Sequence, residues 1–342
     1  MRRSLIFIGV AVALAGIALG LWRPWLAQPD AVPTPTFAAT FATLLKQQHF
    51  VEVPLTRSKT GYLDAMAQAQ GQPLLLYLDT GNTDNQVEEA VAVRLKLSRR
   101  RAEKGILAAK ETDPSEVVVL EHLSLGGLQL RIEATLNSQA SANQGRKELG
   151  EAPYDGLLGV EFLNDYAAVI DYGSAKLFLL DRTHEPTPTS AAERARLLKN
   201  AGYVELPLTL RENGLPDVTA EINGQPFVLL VDTGAQKVTV DESLADRLKL
   251  PQHDKPGMKH RLLDGSELPL KFANVDQLAV GGISTPVEAV LFNMAKLNEW
   301  RKGEGYPPWA GLLGAEVLQR LAAVIDYDAS KLFLLDPKRK RG

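Results

Sequence analysis

The stretch Pro226-Phe-Val-Leu-Leu-Val-Asp-Thr-Gly-Ala235 decides how this chain folds, because the chain contains it twice. Its counterpart, Pro73-Leu-Leu-Leu-Tyr-Leu-Asp-Thr-Gly-Asn82, lies 153 residues earlier. Each copy is a short apolar run that stops at a polar turn, which is typical of a buried strand. Asp79 and Asp232 therefore occupy the same place in two copies of one unit.

Further landmarks keep the same register along both copies. Arg94-Leu-Lys-Leu97 returns as Arg247-Leu-Lys-Leu250 with the spacing of 153 residues, and Gly156-Leu-Leu-Gly159 returns as Gly311-Leu-Leu-Gly314 after 155. A net insertion of two residues separates the two sets. So many matches in register indicate a duplication. Because there are only two copies and each is long enough for a domain, the sequence predicts a pseudo-dimer and not a solenoid.

Composition excludes several classes of function. The net charge of -3 gives no support for a nucleic-acid partner. The absence of cysteine excludes thiol catalysis and Cys-ligated zinc. No H-E-x-x-H, G-x-S-x-G or G-x-x-x-x-G-K-[ST] pattern occurs, so a metalloprotease, an elbow-type serine hydrolase and a P-loop enzyme are poorly supported. The sequence predicts neither a metal site nor a cofactor.

The N-terminus has the pattern of an export signal. Arg2 and Arg3 precede an uncharged apolar run over residues 5–22, which Arg23 follows. This length is at the lower limit for a spanning helix, and the basic start predicts that the N-terminus stays in the cytoplasm. We expect a signal anchor that holds the protein on the inner membrane, facing the periplasm or extracytoplasmic space. The alternative is a cleaved signal peptide and secretion.

The remaining organisation follows from the repeat and from a Pro/Thr-rich segment between its copies. Each copy is expected to be mostly β, with one short helix after Asp-Thr-Gly and another after Gly-Leu-Leu-Gly. Further helices are expected over residues 38–48 and 191–200. The predicted divisions are the signal segment 1–25, a stalk 26–48, domain one 49–183, a linker 184–200, domain two 201–337 and a basic tail 338–342.

An apolar strand that ends in Asp-Thr-Gly, with an apolar-apolar-Gly element downstream in both copies, resembles the retropepsin-like and pepsin-like aspartic proteases. The likeness is greatest to bacterial retropepsin-like domains and covers about residues 50–181 and 203–336. It implies two tandem acid-protease domains that form a bilobal pseudo-dimer within a monomer. It also implies an aspartic endopeptidase with a polypeptide substrate.

Two facing carboxyl groups suit this chemistry. At an effective dielectric constant of ~20, like charges ~4 Å apart repel by roughly 4 kcal/mol. Asp79 and Asp232 are therefore expected to share one proton, a coupling for which the aspartic proteases are the standard example. The ionised member takes a proton from a water molecule, which attacks the peptide carbonyl, and the protonated member donates to the carbonyl oxygen. Asp171 and Asp326 are expected to be turn residues and not catalytic ones.

The resemblance also implies supporting roles for neighbouring residues. Thr80 and Thr233 would cross-link the two catalytic loops, and Gly81 and Gly234 would let backbone N–H groups approach the carboxylates. Ala235 completes the loop of copy two. Two apolar segments would brace the catalytic turns from beneath, and their residues are Leu157, Leu158, Gly159, Leu312, Leu313 and Gly314.

Copy one departs from the family pattern at Asn82, where Ala or Ser is usual. Its amide could donate to the Asp79 carboxylate and lower the pKa of that group, or it could crowd the water. A flap hairpin is predicted around Asp264 and Gly265. The matching residues 105–119 have no comparable turn signal, so the flaps should be unequal. The polar stretches 137–152 and 293–308 are expected to be surface loops, with overhang of the cleft as the alternative.

Three hypotheses remain open at the sequence level. The first is a single-chain aspartic endopeptidase. The second is a catalytically silent descendant that binds a peptide or protein in the same cleft, which Asn82 favours. The third is an enzyme in which copy two alone is competent and pairs with copy two of another molecule.

Overall fold

The computed structural model describes residues 17–18, 32–59, 61–101, 116–185, 188–261 and 267–339. Strands dominate these residues and form two lobes that share a sheet. The elements of the first half are β1 (Ile17–Ala18), α1 (Pro35–Gln47), β2 (Phe50–Arg57), β3 (Leu63–Ala69), β4 (Gln72–Leu78), β5 (Gln86–Val87), α2 (Glu89–Arg94), β6 (Arg99–Arg101), β7 (Glu116–Leu125), β8 (Leu128–Leu136), α3 (Ala140–Glu148), β9 (Gly156–Leu158), α4 (Val160–Asp165), β10 (Val169–Asp171) and β11 (Lys176–Leu180).

The second half repeats this order almost element for element. Its elements are α5 (Pro188–Asn200), β12 (Tyr203–Pro207), β13 (Thr209–Leu210), β14 (Pro216–Ile222), β15 (Gln225–Val231), β16 (Thr239–Asp241), α6 (Glu242–Arg247), β17 (Gln252–Arg261), β18 (Glu267–Val280), β19 (Ile283–Phe292), α7 (Ala295–Gly303), β20 (Gly311–Leu313), α8 (Ala315–Arg320), β21 (Val324–Asp326) and β22 (Lys331–Leu335).

Each lobe places its Asp-Thr-Gly at the end of a central strand. In lobe one, β4 pairs antiparallel with β3 and parallel with β9, and β9 continues through β5 to β8. In lobe two, β15, β14, β20, β16 and β19 have the same arrangement. The apolar runs form strands because they are buried. Along β3, Leu63, Ala65 and Ala67 are buried while Met66 is exposed, which is the alternation of a half-buried strand.

Six consecutive strands of one larger sheet join the lobes, in the order β2, β11, β10, β21, β22, β12, and we name them the joining sheet. Its centre is an antiparallel pair in which Ile170 lies opposite Ile325, and these two residues are equivalent in the repeat. The pseudo-twofold axis therefore passes between β10 and β21. Both lobes depend on this one sheet for their closure.

Helices α1 and α5 are the first elements of the two copies, at the spacing of 153 residues. Thr34 caps α1 by accepting a hydrogen bond from the Phe37 N–H at 3.2 Å, and Pro35 occupies the first turn. One cluster of buried side chains joins both helices to the joining sheet and includes Phe41, Leu45 and Leu198.

The structure corrects four of the predicted segments. Much of the expected stalk and linker is packed helix, and α1 and α5 begin earlier than the helices predicted over 38–48 and 191–200. The polar stretches 137–152 and 293–308 are not loops, because each contains a nine-residue helix, α3 or α7. Their surfaces are largely polar, so no apolar periodicity marked them in the sequence.

The short helices predicted after the two motifs are present. Helices α2 and α6 follow the Asp-Thr-Gly loops, and α4 and α8 follow Gly-Leu-Leu-Gly. Asp241 caps α6 by accepting a 2.9 Å hydrogen bond from the Ser243 N–H. The prediction of a mostly β protein with two tandem domains and short helices is confirmed, and the domains are barrel-like.

The predicted N-terminal signal helix lies largely outside the described residues. Ile17 and Ala18, which fall within it, form the strand β1 beside His260 and Lys259 of β17. Among the residues that the structure describes, no helix is both long and apolar enough to span a membrane.

Candidate active site

The two Asp-Thr-Gly loops meet at the pseudo-twofold axis. A Cβ atom added to Gly81 would lie 2.5 Å from Cγ of Asp232, and one added to Gly234 would lie 2.5 Å from Cγ of Asp79. Each glycine thus faces the carboxyl group of the opposite lobe. Only a residue without a side chain permits this approach.

The carboxyl groups of Asp79 and Asp232 are buried and hydrogen-bond each other. Burial is the main cause that raises the pKa of both groups, and the charge of Asp232 further raises the pKa of Asp79. Backbone N–H groups oppose this shift: that of Gly81 donates to Asp79 Oδ1 at 3.0 Å, and that of Gly234 donates to Asp232 Oδ1 at 2.8 Å. The pair therefore keeps one proton where separate carboxyl groups would both be ionised.

Thr80 and Thr233 link the two loops reciprocally. The Thr80 hydroxyl donates to the Val231 carbonyl at 2.7 Å and accepts from the Thr233 N–H at 3.0 Å. The Thr233 hydroxyl donates to the Leu78 carbonyl at 2.8 Å and accepts from the Thr80 N–H at 3.0 Å. Both threonines are fully buried. These four bonds fix the positions of the two aspartates relative to each other.

The strands β9 and β20 support the two Asp-Thr-Gly loops. The Asp79 N–H donates to the Leu158 carbonyl at 3.0 Å, and the Asp232 N–H donates to the Leu313 carbonyl at 3.1 Å. Leu157 and Leu312 precede these residues and are also buried. The glycines that follow lie against the loop backbones, since a Cβ at Gly159 would be 2.4 Å from the Asp84 carbonyl oxygen and one at Gly314 2.3 Å from that of Lys237.

Asn82 contacts the site through its backbone. Its N–H approaches the Asp79 carboxylate and lowers the pKa of that group, as the Ala235 N–H does for Asp232 with a hydrogen bond of 3.2 Å. The Asn82 side-chain oxygen instead accepts from the Asp84 N–H at 3.3 Å. The amide side chain thus closes a local turn, so copy one presents Asp79 with the same backbone donors that copy two presents to Asp232.

The predicted flap tip, Asp264 and Gly265, lies outside the described residues, as do residues 102–115 of the matching segment. Strands β17 and β18 lead to that tip and pair with each other. The expected inequality of the flaps stays a prediction. Among the described residues, no group of three His, Asp or Glu side chains is placed to hold a metal ion.

The sequence reasoning missed a buried cluster that occurs in both lobes, which we name the arginine clasp (Asp64, Arg146 and Tyr154 in lobe one; Asp217, Arg301 and Trp309 in lobe two). In lobe one, the Arg146 guanidinium is 3.1 Å from Asp64 and lies 3.9 Å from the centre of the Tyr154 ring, whose hydroxyl donates to Asp64 at 2.7 Å.

The clasp of lobe two has the same geometry. Arg301 is 2.8 Å from Asp217 and 3.8 Å from the centre of the Trp309 ring. Trp309 Nε1 donates a hydrogen bond to Asp217 at 2.6 Å. The clasp fastens α3 to β3 in lobe one and α7 to β14 in lobe two. The signal that could have found it is the repeat spacing, because Asp64 and Asp217 are 153 residues apart and Arg146 and Arg301 are 155 apart.

One position beside the Asp-Thr-Gly loops reverses its charge between the lobes. Lys237 forms an ion pair with Glu316 at 3.2 Å in lobe two. Its equivalent in lobe one is Asp84, which accepts a hydrogen bond from the Thr83 hydroxyl at 3.1 Å. Burial and then repulsion by Glu133 raise the pKa of Asp84. The two halves of the site therefore have different electrostatic surroundings.

Two β lobes that each bring one Asp-Thr-Gly loop to a common axis define a retropepsin-like aspartyl protease. The model of the aspartyl protease family matches residues 65–162 and 218–317, which together are more than half of the chain. The protein belongs to the aspartyl protease family, and the resemblance seen in its sequence is confirmed. A search of curated proteins gave no match.

Proposed function

We propose that this protein is an aspartic endopeptidase that hydrolyses peptide bonds with a water molecule activated between Asp79 and Asp232. The observation that carries the proposal is the mutual contact of these two buried carboxyl groups, each facing the glycine of the opposite loop. The site also joins both copies within one chain. This favours an intramolecular dyad over one that forms between two molecules.

The reaction needs one ionised and one protonated carboxyl group. The raised pKa values keep the proton of the pair on the protein, while the backbone N–H groups of the loops stabilise the ionised oxygen. The ionised carboxylate removes a proton from water, which attacks the carbonyl carbon, and the protonated carboxyl group donates to the carbonyl oxygen. Collapse of the tetrahedral species then transfers a proton to the leaving amine and restores the pair.

Digestion of a peptide library by the full-length protein, across acid to neutral pH, tests the proposal. Asp79→Asn and Asp232→Asn should each abolish cleavage, because either change removes one half of the acid–base pair. A matched control is Asp276→Asn, which alters an exposed acid of β18. If the native protein binds peptides but cleaves none, it is a silent binding protein. If Asp79→Asn remains active, the competent site is formed between two copies of lobe two.

We further propose that residues 1–25 export the protein and anchor it to the inner membrane as a monomer, with the lobes facing the periplasm or extracytoplasmic space. The basic start and the apolar run over residues 5–22 support this placement. Fractionation, with protease applied from the periplasmic side, tests it. A mature chain that begins after residue 22 in the soluble fraction would instead support a cleaved signal peptide.

A further inference from the structure

Helices α1 and α5 cover the face of the joining sheet that is turned away from the catalytic pair. Val169 of β10 packs in the cluster that contains both helices, whereas its neighbour Ile170 belongs to the main core. That core also contains Leu78, the residue before Asp79. Successive residues of a strand point to opposite faces of a sheet, so the helices and the Asp-Thr-Gly loops lie on opposite sides.

The place where the chain enters α1 lies beside the end of α5. Pro33 and Thr34 line a groove together with Ala201, which follows α5. The ring centre of Phe37, in the first turn of α1, is 5.7 Å from that of Tyr203. Residues 33–34 are therefore close to the C-terminal end of α5, on the side of the molecule opposite the catalytic pair.

Residues 336–339 return to the same place. The Asp336 N–H donates to the Gly202 carbonyl at 3.3 Å, and the Arg339 N–H donates to the Asp336 carbonyl at 3.3 Å. A Cβ atom added to Gly202 would lie 3.6 Å from the Cβ atom of Arg339. We name the exposed surface of α1, α5 and residues 336–339 the basal face. Both the entry into lobe one and the exit from lobe two lie on this face.

The basal face is basic in a chain whose net charge is -3. Apart from the buried Arg194, its three segments contain five lysines and arginines against two acids. The side chains of Lys46, Lys199 and Arg339 are more than half exposed. Lys340 and Arg341 follow directly in the sequence. A positive patch on a negative protein favours an anionic partner.

The basal face is also the part of the described fold that follows the proposed membrane anchor most directly. The apolar run ends at residue 22, so ten residues separate it from Pro33. A fully extended chain of that length spans at most about 35 Å. An anchored protein therefore keeps its basal face near the bilayer, where a basic surface is attracted to headgroups within a Debye length of about 8 Å.

We infer that the basal face, together with the basic run over residues 338–341, is a second membrane contact that binds anionic lipid headgroups. Each lysine or arginine held near an anionic bilayer strengthens the association by about fivefold. This contact orients the molecule with its catalytic pair directed away from the lipid. The inference rests on the proposed membrane anchor and is independent of peptide-bond hydrolysis.

Single-cysteine labels on the full-length protein test the inference, because the native chain contains no cysteine. The protein is inserted into nanodiscs of phosphatidylcholine, alone or mixed with phosphatidylglycerol, with a fluorescence quencher on the headgroups. A fluorophore at Gly342→Cys or at Thr43→Cys, on the exposed side of α1, should be quenched more strongly in the anionic discs. High salt should remove this difference. A fluorophore at Val93→Cys, an exposed position of α2, should be quenched equally little in both.

Charge variants separate the basal face from the rest of the surface. The tail variant carries Lys338→Gln, Arg339→Gln, Lys340→Gln and Arg341→Gln, and the fraction of its tail in contact with anionic headgroups should fall by roughly fivefold or more. A matched control removes the same charge at exposed lysines elsewhere and should behave as the native protein. Its substitutions are Lys96→Gln, Lys147→Gln, Lys296→Gln and Lys302→Gln.

The outcomes keep the proposals apart. A protein that does not insert into nanodiscs contradicts the anchor, and flotation with anionic vesicles at low salt then decides whether the basal face binds lipid. Equal quenching in neutral and anionic discs overturns the inference, as does a tail variant that behaves as the native protein, and either result leaves a solvated tail. Failure of the endopeptidase function would appear only in peptide cleavage, which none of these measurements uses.

Discussion

Gly81 and Gly234 are the residues on which the geometry of the pair depends most directly, since each lies against the carboxyl group of the other lobe. A methyl group at either position would need the opposing carboxyl group to move, because the 2.5 Å contact is shorter than van der Waals contact. We therefore predict that Gly81→Ala lowers kcat by about 100-fold, the usual effect of a displacement of ~1 Å in an active site. Steady-state kinetics measures this loss.

Gly145→Ala is the matched control for that substitution. Gly145 lies in α3 with open space where a Cβ would stand. Alanine is the better helix former, so this variant should keep full activity and unfold at the same temperature or slightly higher. Full activity of Gly81→Ala would show that the carboxyl groups do not require the close approach seen here.

The raised pKa of Asp79 has a consequence for stability. A carboxyl group that binds its proton more tightly in the folded state stabilises fully below its unfolded pKa of about 4, and this stability is lost as the pH rises through the folded pKa. Asp79→Asn has no carboxyl group at this position, so it does not lose this stability as the pH rises. The variant should unfold at a higher temperature than the native protein at neutral pH, with no gain at pH about 3.

Thermal unfolding at both pH values measures this difference. Asp276→Asn, on the exposed face of β18, should show no gain at either pH. If Asp79→Asn is no more stable than the native protein at neutral pH, the Asp79 carboxyl group does not carry the unfavourable burial that the structure assigns to it.

At the scale of single elements, the arginine clasp binds α3 to β3. Arg146→Met leaves Asp64 as a buried and uncompensated acid, and breaking such a pair costs about 3–5 kcal/mol. Denaturant unfolding should show this loss as a lower midpoint. Arg131→Met is the matched control because its pair with Glu121 at 3.0 Å is exposed, and it should cost less than about 1 kcal/mol.

A substitution of Arg146 that costs no more than that of Arg131 would mean that α3 is held by other contacts. The same comparison applies in lobe two, where Arg301→Met leaves Asp217 without its partner. Because the two clasps share their geometry, the losses in the two lobes should be similar.

The elements that the sequence predicted were those whose local pattern identifies them. The strands that end in Asp-Thr-Gly and the short helices that follow Asp-Thr-Gly and Gly-Leu-Leu-Gly have strong short-range signals. Helices α1 and α5 were harder to recognise as repeat elements because the same buried position holds Phe41 in one and Arg194 in the other. Phe41 packs among apolar side chains, whereas Arg194 pairs with Asp326 at 2.8 Å. Because one helix has an apolar residue at this position and the other has a charged residue, their sequences do not look alike.

The residues of the candidate site also fall into two groups, those that a sequence motif identifies and those that no motif identifies. The loop residues belong to a contiguous motif and could be named from it, including the partners Thr80 and Thr233. The arginine clasp has no such motif, because Asp64 and Arg146 are 82 residues apart, and only the repeat spacing marks its residues as equivalent. Contacts of that kind depend on how strands and helices pack, which a single sequence does not specify.

At the scale of the whole molecule, the shared sheet predicts that the lobes unfold together. Among the four tryptophans, Trp300 and Trp309 belong to lobe two, and Trp22 and Trp25 precede both lobes. In a Trp22→Phe, Trp25→Phe background, fluorescence thus reports on lobe two alone. We predict that Arg146→Met, a change in lobe one, shifts the fluorescence transition and the circular-dichroism transition equally.

Arg301→Met in the same background is the control, because it acts directly on lobe two and must shift the fluorescence signal. Separate transitions in the Arg146→Met variant, with fluorescence unchanged, would show that β10 and β21 do not couple the lobes. The physical basis of the coupling is that each lobe supplies three strands to the joining sheet.

The pairing of Ile170 with Ile325 has an evolutionary meaning. A self-complementary seam of this kind would equally unite two separate molecules of a half-length ancestor, but such molecules inherit every substitution in duplicate. Joining them in one polypeptide lifts that restriction. A residue in one lobe, such as Asp84 or Tyr62, could then change while the equivalent residue of the other lobe, Lys237 or Leu215, stayed as it was. Covalent fusion thus allows a symmetric framework to recognise a substrate that has direction.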